Sequence, residues 1–450
     1  MGYRGEIKNS ITSHGGLFVK TITDDLGKKF FLDRAGICLL LFLAFAAGFS
    51  KWLSDNAFAV LFFIFLVRLT SWAQAKGGVC PLPKIYLWSQ LVFALTWIFL
   101  VNISPDPLPG VKYLAAVLYT MAIFPITVLW AREERYRRLI LPLLAAGFIV
   151  AALIASYQAW PDMACVRVRV LMGIMKYGGI LGLLSIFWAA LALMAWQEQN
   201  RPLAGLYFLA FWAGLWGQTL NCTRISILET IAGAIIFFVL TIRRFNWRFF
   251  LIILLSLSLF FFYSSQRPEM AARLVSISDT KTDFSNTMRL TMWSHGWEVF
   301  KEHPVAGAGI QNLPKLIFSD GGATCLGPED KMPREYDHPE EIIRAAHLHN
   351  VFLDIMAQGG SLGLLSYLAL YFPFIFLACR GLKSSDTRIR SWSVLILVLI
   401  GEYFTHSMTD QIFGMNPLMY IFWMLMGLAY LQIQPDSRHA AAAEDAGGKN

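Results

Sequence analysis

Arginine side chains at a few polar positions of this apolar chain could bind phosphate. Arg224 ends the short polar stretch Asn221–Arg224, and Arg289 lies inside the longest one, residues 265–350. The planar guanidinium of arginine binds phosphate through two parallel hydrogen bonds and stays charged near neutral pH. Arginines that converge on one surface would therefore bind a diphosphate-bearing lipid.

Arg167 and Arg169, in the loop before the apolar run 176–196, extend this set of candidate anion-binding residues. Each arginine alone has an ordinary alternative, since arginine also reaches lipid headgroups or pairs with nearby acids. The acids of the long polar stretch that could pair with them are Glu335, Glu340 and Glu341. The set as a whole favours anion binding, because arginine is disfavoured in loops on the outer side of a membrane, where the predicted topology places them.

Histidines at the end of the long polar stretch could supply a base. His347 and His349 flank Leu348, and Asn350 follows. Neutral imidazole, with an unperturbed pKa near ~6.5, can accept the proton of an attacking hydroxyl. The alternative is that a histidine at a membrane boundary only anchors the chain through hydrogen bonds. Spacing alone does not choose between the two histidines.

One predicted helix would position the arginine of the long stretch. Trp293, Trp297 and Phe300 recur with Arg289 at helical spacing until Pro304 ends the run. The arginine therefore shares a stripe with aromatic side chains and does not point freely into water.

A second predicted helix runs from Pro339 to Gln358, with acidic residues at its start and Gly359-Gly360 after its end. Residues two apart on a helix point to opposite sides. His347 and His349 would then face away from each other, which disfavours a shared metal ion. We predict no metal site and no cofactor.

The composition predicts an all-α polytopic membrane protein. Of the 450 residues, 56% are hydrophobic, whereas soluble domains average ~45–50%. The net charge of +8 comes mostly from Lys and Arg in short loops between apolar runs, as the positive-inside rule expects. We therefore exclude nucleic-acid binding. Residues 1–34 are polar and basic and too long for a signal-peptide n-region, so no cleavage is expected.

Apolar runs near the ~20 residues that cross a bilayer core predict about twelve transmembrane helices. The runs are 35–51, 56–73, 86–103, 111–130, 139–158, 176–196, 203–220, 225–242, 247–264, 351–379, 391–409 and 416–433. Basic residues in alternate loops place both termini in the cytoplasm and residues 265–350 in a large, partly helical loop on the outer side. The predicted organisation is a cytoplasmic segment 1–34, helices 1 to 9 in 35–264, the outer loop 265–350, helices 10 to 12 in 351–433 and a disordered cytoplasmic tail 434–450.

Three ionisable side chains, Glu229, Glu402 and His406, lie within or near the ends of apolar runs. Such groups are costly in a membrane and usually face the interior of the bundle. A transporter would use them as an ion path, and a membrane enzyme would use them to line or brace its cavity. Glu402 and His406 are one turn apart, which predicts a local hydrogen bond. No repeat or pair of broken helices supports the transporter.

The six cysteines lack the paired spacing of a zinc site. Cys165, Cys222 and Cys325 fall on the outer side of the predicted topology. They could form one disulfide in an oxidising compartment, and the sequence does not indicate which two would pair.

The motifs of residues 285–365 occur in a fixed order. They are Arg289 with Trp293 and Trp297, His303-Pro304, Gly307-Ala308-Gly309, His347-Leu348-His349-Asn350 and Gly359-Gly360. This segment resembles the shared region of the bacterial O-antigen ligase and O-antigen polymerase superfamily. Thr223-Arg224 is similar to the second arginine of that superfamily, and Arg167 and Arg169 lie in the region of a more variable third.

The resemblance implies a membrane glycosyltransferase of the GT-C type, acting without a metal ion on a glycan linked to undecaprenyl diphosphate. Arg224 and Arg289 would hold the diphosphate and stabilise charge on the leaving group. His349, the histidine beside Asn350, would be the general base, and the anomeric centre would invert. The further substrate contacts implied are Arg167, Arg169, Trp293, His347 and Asn350.

Among the members of this superfamily, the resemblance favours an O-antigen ligase with lipid A-core as acceptor, at the periplasmic face of the inner membrane. One large loop late in the chain favours the ligase over the polymerase, which often has two substantial loops. Protein O-oligosaccharyltransferases usually carry a longer C-terminal soluble region, which this sequence lacks. The oligomeric state is not predicted.

Overall fold

A computed structural model describes most of the chain. The described residues are 31–74, 84–161, 167–241, 247–281, 283–313, 315–319, 322–326, 343–345 and 347–434. The segment up to residue 30, the tail after residue 434, Cys165 and the candidate acids Glu335, Glu340 and Glu341 lie outside these ranges. The predictions made for them stay predictions.

The described residues are predominantly helical. The helices are α1 (Phe31–Ala47), α2 (Lys51–Gln74), α3 (Lys84–Asn102), α4 (Pro107–Met121), α5 (Ile123–Trp130), α6 (Glu134–Ala159), α7 (Ile174–Gln197), α8 (Arg201–Asn221), α9 (Arg224–Thr241), α10 (Trp247–Ser265), α11 (Pro268–Val275), α12 (Phe284–Glu302), α13 (Val351–Ala369), α14 (Phe372–Gly381), α15 (Thr387–Ser407) and α16 (Leu418–Ile433). The strands are β1 (Lys315–Ser319), β2 (Gly322–Leu326) and β3 (Ile343–Ala345).

Each of the predicted apolar runs is helical, and the chain is a multi-pass membrane protein. Within the described ranges, 7 helical segments are long and apolar enough to cross a membrane, or up to 8 if the bent pair α10 and α11 forms one span. The helices at the other predicted spans, α1, α8, α15 and α16, are shorter or less apolar. The count of about twelve crossings therefore remains a prediction.

Helix α7 lies at the centre of the bundle. Of its most apolar window, 94% is buried inside the protein, and it packs against α8, α9 and α15. Glycines on α7 face polar side chains of these neighbours, because a Cβ at Gly182 would collide with the Glu229 carboxylate and one at Gly179 with the His406 ring. The small residues of α7 thus make room for ionisable groups inside the bundle.

Helix α13 is interrupted at Gly360, where a φ of 62° departs from helical geometry. The segment that follows α12 docks on this interruption. The amide of Ala308 donates to the carbonyl of Ala357 over 2.9 Å, and the amide of Gly309 donates to that of Gln358 over 3.0 Å. These bonds hold the end of α12 against α13.

The loop between α12 and α13 also contains a small antiparallel sheet, with strand order β2-β1-β3. The sequence did not predict this sheet inside an otherwise helical membrane protein. The predicted helix from Pro339 to Gln358 is wrong in its first half, because β3 lies there and α13 begins only at Val351. The side chain of Asn350 caps α13 by accepting from the amide of Leu353 over 3.1 Å.

Candidate functional site

A cavity of about 280 Å³ lies where the end of α8, the start of α9, α11 and α12 meet. Its wall includes Arg224 at the start of α9, Arg289 and Trp293 on α12, Arg273 on α11 and Arg167 in the loop before α7. Arginines that are far apart in sequence therefore come together around one space. Arg169 is exposed and is not among the lining residues in the described part of the chain.

Arg224 is the arginine most firmly tied to protein groups. Its guanidinium donates to both carboxylate oxygens of Asp283, over 2.5 and 3.2 Å, and to the side-chain oxygen of Asn286 over 3.1 Å. The hydrogen bond from Arg224 is the main cause that lowers the pKa of Asp283. Asp283 in turn caps α12 by accepting from the amide of Asn286. Arg224 therefore positions α12 as well as lining the cavity.

The other cavity arginines have no such acidic partner. Over the ranges that the structure describes, neither Arg167, Arg273 nor Arg289 forms an ion pair within 4.0 Å. Partial burial lowers the pKa of Arg289, and the charge of Asp410 opposes that shift. The cavity therefore carries an excess of positive charge, because Asp283 balances only one of its arginines. An anionic ligand would supply the missing negative charge.

His349 lies beside the cavity and forms a pair with Asp410, which the sequence did not single out. The His349 Nδ1 donates to Asp410 Oδ1 over 3.0 Å, and the two side chains are 28% and 5% exposed. Burial disfavours the charged form of Asp410, but hydrogen bonds from His349 and His406 outweigh it and hold the pKa of this carboxyl well below its usual range. An anionic Asp410 fixes the proton of His349 on Nδ1 and leaves Nε2 to accept another.

The pair reaches the cavity through its neighbours. Thr409, next to Asp410 in the chain, lines the cavity wall. Asp410 also acts electrostatically on Arg289. The indole of Trp293, a lining residue, donates to the carbonyl of Leu348 over 3.0 Å. The segment that carries both histidines is therefore attached directly to the wall of the arginine-lined cavity.

The backbone of the histidine segment is unusual. His349 has a φ of 48°, in the left-handed region that residues other than glycine rarely adopt. Such a conformation costs ~1–3 kcal/mol and persists where the surrounding structure determines it. Here Trp293 binds the carbonyl of Leu348, and Asp354 accepts from its amide over 3.1 Å. Both bonds fix the turn that directs His349 toward Asp410.

The relation between the two histidines differs from the prediction. Because the segment precedes α13 and is not helical, the rings do not face opposite sides but contact each other, with centroids 4.2 Å apart. Burial, followed by the nearby His349, lowers the pKa of His347. Within the described chain, the Nδ1 of His347 is buried without a hydrogen-bond partner. His347 therefore lies against His349 but lacks the carboxylate that orients it.

Asn350 and the buried ionisable groups also differ from expectation. Asn350 caps α13, which accounts for its side-chain oxygen without any substrate. The predicted local hydrogen bond between Glu402 and His406 is wrong, because His406 Nδ1 bonds instead to Glu229 Oε1 over 2.7 Å. His406 Nε2 lies 3.9 Å from Asp410 Oδ2. The buried pair thus stands directly behind the carboxylate that holds His349.

Two functional candidates escaped the sequence analysis for physical reasons. Asp410 lies sixty residues beyond the histidines, in a short turn after α15, and only the packing of α15 brings it to His349. Arg273 lies on a helix too short to show a clear period. A search for every charged residue near the predicted outer boundary of a span would have found both.

The remaining sequence predictions concern cysteines and metals. Cys222, which lines the cavity, is in a disulfide. Across the described ranges, no group of three or more His, Cys, Asp or Glu side chains could hold a metal ion. The arrangement at hand is therefore a set of arginines beside a histidine and aspartate pair.

Comparison with known families concerns the same part of the chain. Residues 209–368 match the family model described as O-Antigen ligase. This range includes Arg224, Arg273, Arg289 and both histidines, whereas Arg167 and Asp410 lie outside it. A comparison with curated proteins finds no match to the chain.

Proposed function

The chain belongs to the O-antigen ligase/polymerase superfamily, and from that premise we propose that it is an O-antigen ligase. The proposed reaction moves O-antigen polysaccharide from undecaprenyl diphosphate to lipid A-core. It takes place at the periplasmic face of the bacterial inner membrane, with both termini in the cytoplasm. The observation that carries this proposal is the arginine-lined cavity beside the His349 and Asp410 pair.

The charge of the cavity suits a diphosphate donor. A diphosphate diester carries about two negative charges near neutral pH, and guanidinium groups bind phosphate with charge-assisted hydrogen bonds. Arg289 is nearest to Asp410 in the electrostatic order, so it would contact the phosphate attached to the sugar. Arg224, already oriented by Asp283, would stabilise the same group with less freedom to lose.

The chemistry of the proposed step is a single displacement. The oxygen of an acceptor hydroxyl attacks the anomeric carbon, and the bond from that carbon to the phosphate oxygen breaks. The electron pair of that bond leaves with undecaprenyl diphosphate, where Arg289 and Arg224 stabilise it. The hydroxyl proton passes to Nε2 of His349, whose Nδ1 proton is held by Asp410. Attack opposite the leaving group inverts the anomeric centre.

Trp293 and His347 would act around this centre. Trp293 holds the carbonyl of Leu348 and exposes part of its ring to the cavity, so it would both fix His349 and pack against a sugar. His347, in ring contact with His349, would limit the freedom of that side chain. Arg169, which does not line the cavity, would contact the glycan or lipid outside it.

The alternative within the superfamily is a polymerase that joins repeat units while both remain linked to undecaprenyl diphosphate. Its chemistry at the donor is the same, so the arginines and His349 do not separate the two activities. The single large loop between α10 and α13 favours the ligase by resemblance. A protein O-oligosaccharyltransferase or a polysaccharide transporter is less well supported.

Deletion of the gene tests the proposal through the lipopolysaccharide that cells then make. A ligase mutant should display core without O-antigen, while lipid-linked polymer accumulates. Core capped by a single repeat unit would identify the polymerase, and unchanged lipopolysaccharide would contradict both activities. Transfer by purified protein in detergent, with no ion gradient, would exclude transport as the essential step.

A further inference from the structure

Helix α11 brings a charged side chain to the cavity from a direction that none of the motifs predicts. It is bent by 104° from the apolar helix α10. If α10 crosses the membrane, α11 lies close to the membrane surface and roughly parallel to it. Met270 on α11 is buried against the protein, and Arg273, three residues later, lines the cavity.

Arg273 lies in a strongly positive environment. Arg167 and Arg224 are both close enough to oppose its charge, and Asp283 is the acid that favours it. Asp283 already accepts two hydrogen bonds from Arg224. In the described part of the chain Arg273 therefore shares one engaged carboxylate with a stronger competitor. Repulsion among the three guanidinium groups would be relieved by an anion between them.

The cavity arginines fall into an order along its wall. Arg289 interacts with Asp410 and with Arg224, whereas Arg273 interacts with Arg224 and with Arg167. Arg224 is thus the shared neighbour. One end of the cavity adjoins the His349 and Asp410 pair, and the other end adjoins α11 at the membrane surface.

We propose that Arg273, with Arg167, forms a second phosphate position in the cavity, next to the position formed by Arg224 and Arg289. This inference rests on the proposed function, and it assigns the two positions to the two phosphates of a lipid diphosphate. The phosphate bonded to the sugar lies at Arg289, beside the reacting atoms. The phosphate bonded to the polyprenyl chain lies at Arg273, where α11 meets the membrane surface and the chain can enter the lipid.

The assignment predicts selectivity for two phosphates over one. The test uses the purified full chain in detergent, with geranylgeranyl diphosphate and geranylgeranyl monophosphate as probes in a binding titration. The unaltered protein should bind the diphosphate on the order of tenfold more tightly, since a charge-assisted contact is worth at least that factor. Arg273→Ala should lose most of this preference while its affinity for the monophosphate changes little.

Matched variants keep the outcome clear. Arg267→Ala removes an arginine of the same region whose guanidinium lies 4.9 Å from the ring of Tyr263 and which is not a lining residue. It should keep the full preference for diphosphate. Arg273→Lys retains the charge and should keep part of it, which also separates charge from folding. Thermal melting of each variant shows that the protein remains folded.

Two results would overturn the second phosphate position. One is an equal affinity of the unaltered protein for both probes, and the other is a full diphosphate preference in Arg273→Ala. Failure of the proposed function would look different. A protein that binds the diphosphate selectively but transfers no glycan would contradict the ligase and leave the phosphate position standing.

Discussion

At the scale of residues, the central feature is the asymmetry between two adjacent histidines. His349 donates to a buried carboxylate, whereas His347 lies against it with its own Nδ1 unpaired among the described residues. A base needs a fixed tautomer and a free nitrogen that faces its substrate. Only His349 has the partner that provides the first of these.

Exchange of each histidine for glutamine separates their roles. His349→Gln should lower the transfer rate on the order of a hundredfold or more, which is the size of a lost general base. His347→Gln should lower it by less than about tenfold, since that side chain is predicted to position and not to accept the proton. Single-turnover transfer rates measure both. A larger loss in His347→Gln would reverse the assignment.

Asp410 acts through His349 and is therefore a positioning residue. Asp410→Asn should lower the transfer rate by about a hundredfold, because an amide can leave the wrong nitrogen of His349 protonated. The donor KM should change little. Because hydrogen bonds hold the pKa of Asp410 below the ordinary carboxyl range near ~3.9, the carboxylate stays charged at every pH above that value. Loss of activity between pH 7 and pH 5 should therefore follow protonation of one imidazole and not of the carboxylate. A second proton in that limb would contradict the account.

At the scale of elements, the site depends on how α12 is held against α13. The turn after α12 contains Gly307, with a φ of 70°, and a Cβ there would collide with the backbone of Gln358. Neighbouring amides bond to the carbonyls next to the Gly360 interruption. Since Trp293 on α12 binds the segment that carries His349, a displacement of this turn would separate the arginines from the base.

Gly307→Ala tests this connection between elements. Strain in the left-handed region and the backbone collision should together lower stability by roughly 2–3 kcal/mol. The transfer rate should fall strongly, although no residue of the cavity is changed. Gly205→Ala on α8 is the control, because a Cβ there meets nothing within 4 Å. Equal melting temperatures and rates for the two variants would show that the turn does not position the site.

The elements also show what a sequence can predict. Apolar periodicity located every helix of the bundle, because a membrane span must satisfy its own backbone and so has a local signature. The arginine positions were predictable for a similar reason, since charge outside the cytoplasm is unusual. The contact of His347 with His349 was not, because it depends on where α13 begins. Asp410 was missed because its partner lies on another element, and such pairing leaves no periodic signal.

At the scale of the whole molecule, the account requires the cavity to open on the outer side of the membrane. The described helices include 7 or up to 8 segments suited to cross it, while the sequence predicts about twelve crossings. An arginine-rich cavity facing the cytoplasm would meet a different set of substrates. The orientation therefore decides between a lipid-linked donor and any other anion.

Labelling of single introduced cysteines tests the topology. In cells with a permeabilised outer membrane, an impermeant maleimide should label Lys281→Cys, next to the cavity, and Asn102→Cys, at the end of α3. It should leave Arg132→Cys and Ser384→Cys unlabelled until the inner membrane is opened. Labelling of the second pair in intact inner membranes would contradict the predicted twelve-span arrangement.

The most direct measurement is glycan transfer by the purified full chain in detergent, with undecaprenyl-diphosphate-linked O-antigen as donor and lipid A-core as acceptor. The account predicts that the unaltered protein forms O-antigen on core without a metal ion or a gradient. It also predicts that Arg289→Ala and His349→Ala, each still folded, form almost none. Near-normal transfer by either variant, or no transfer by the unaltered protein with this donor and acceptor, would contradict it.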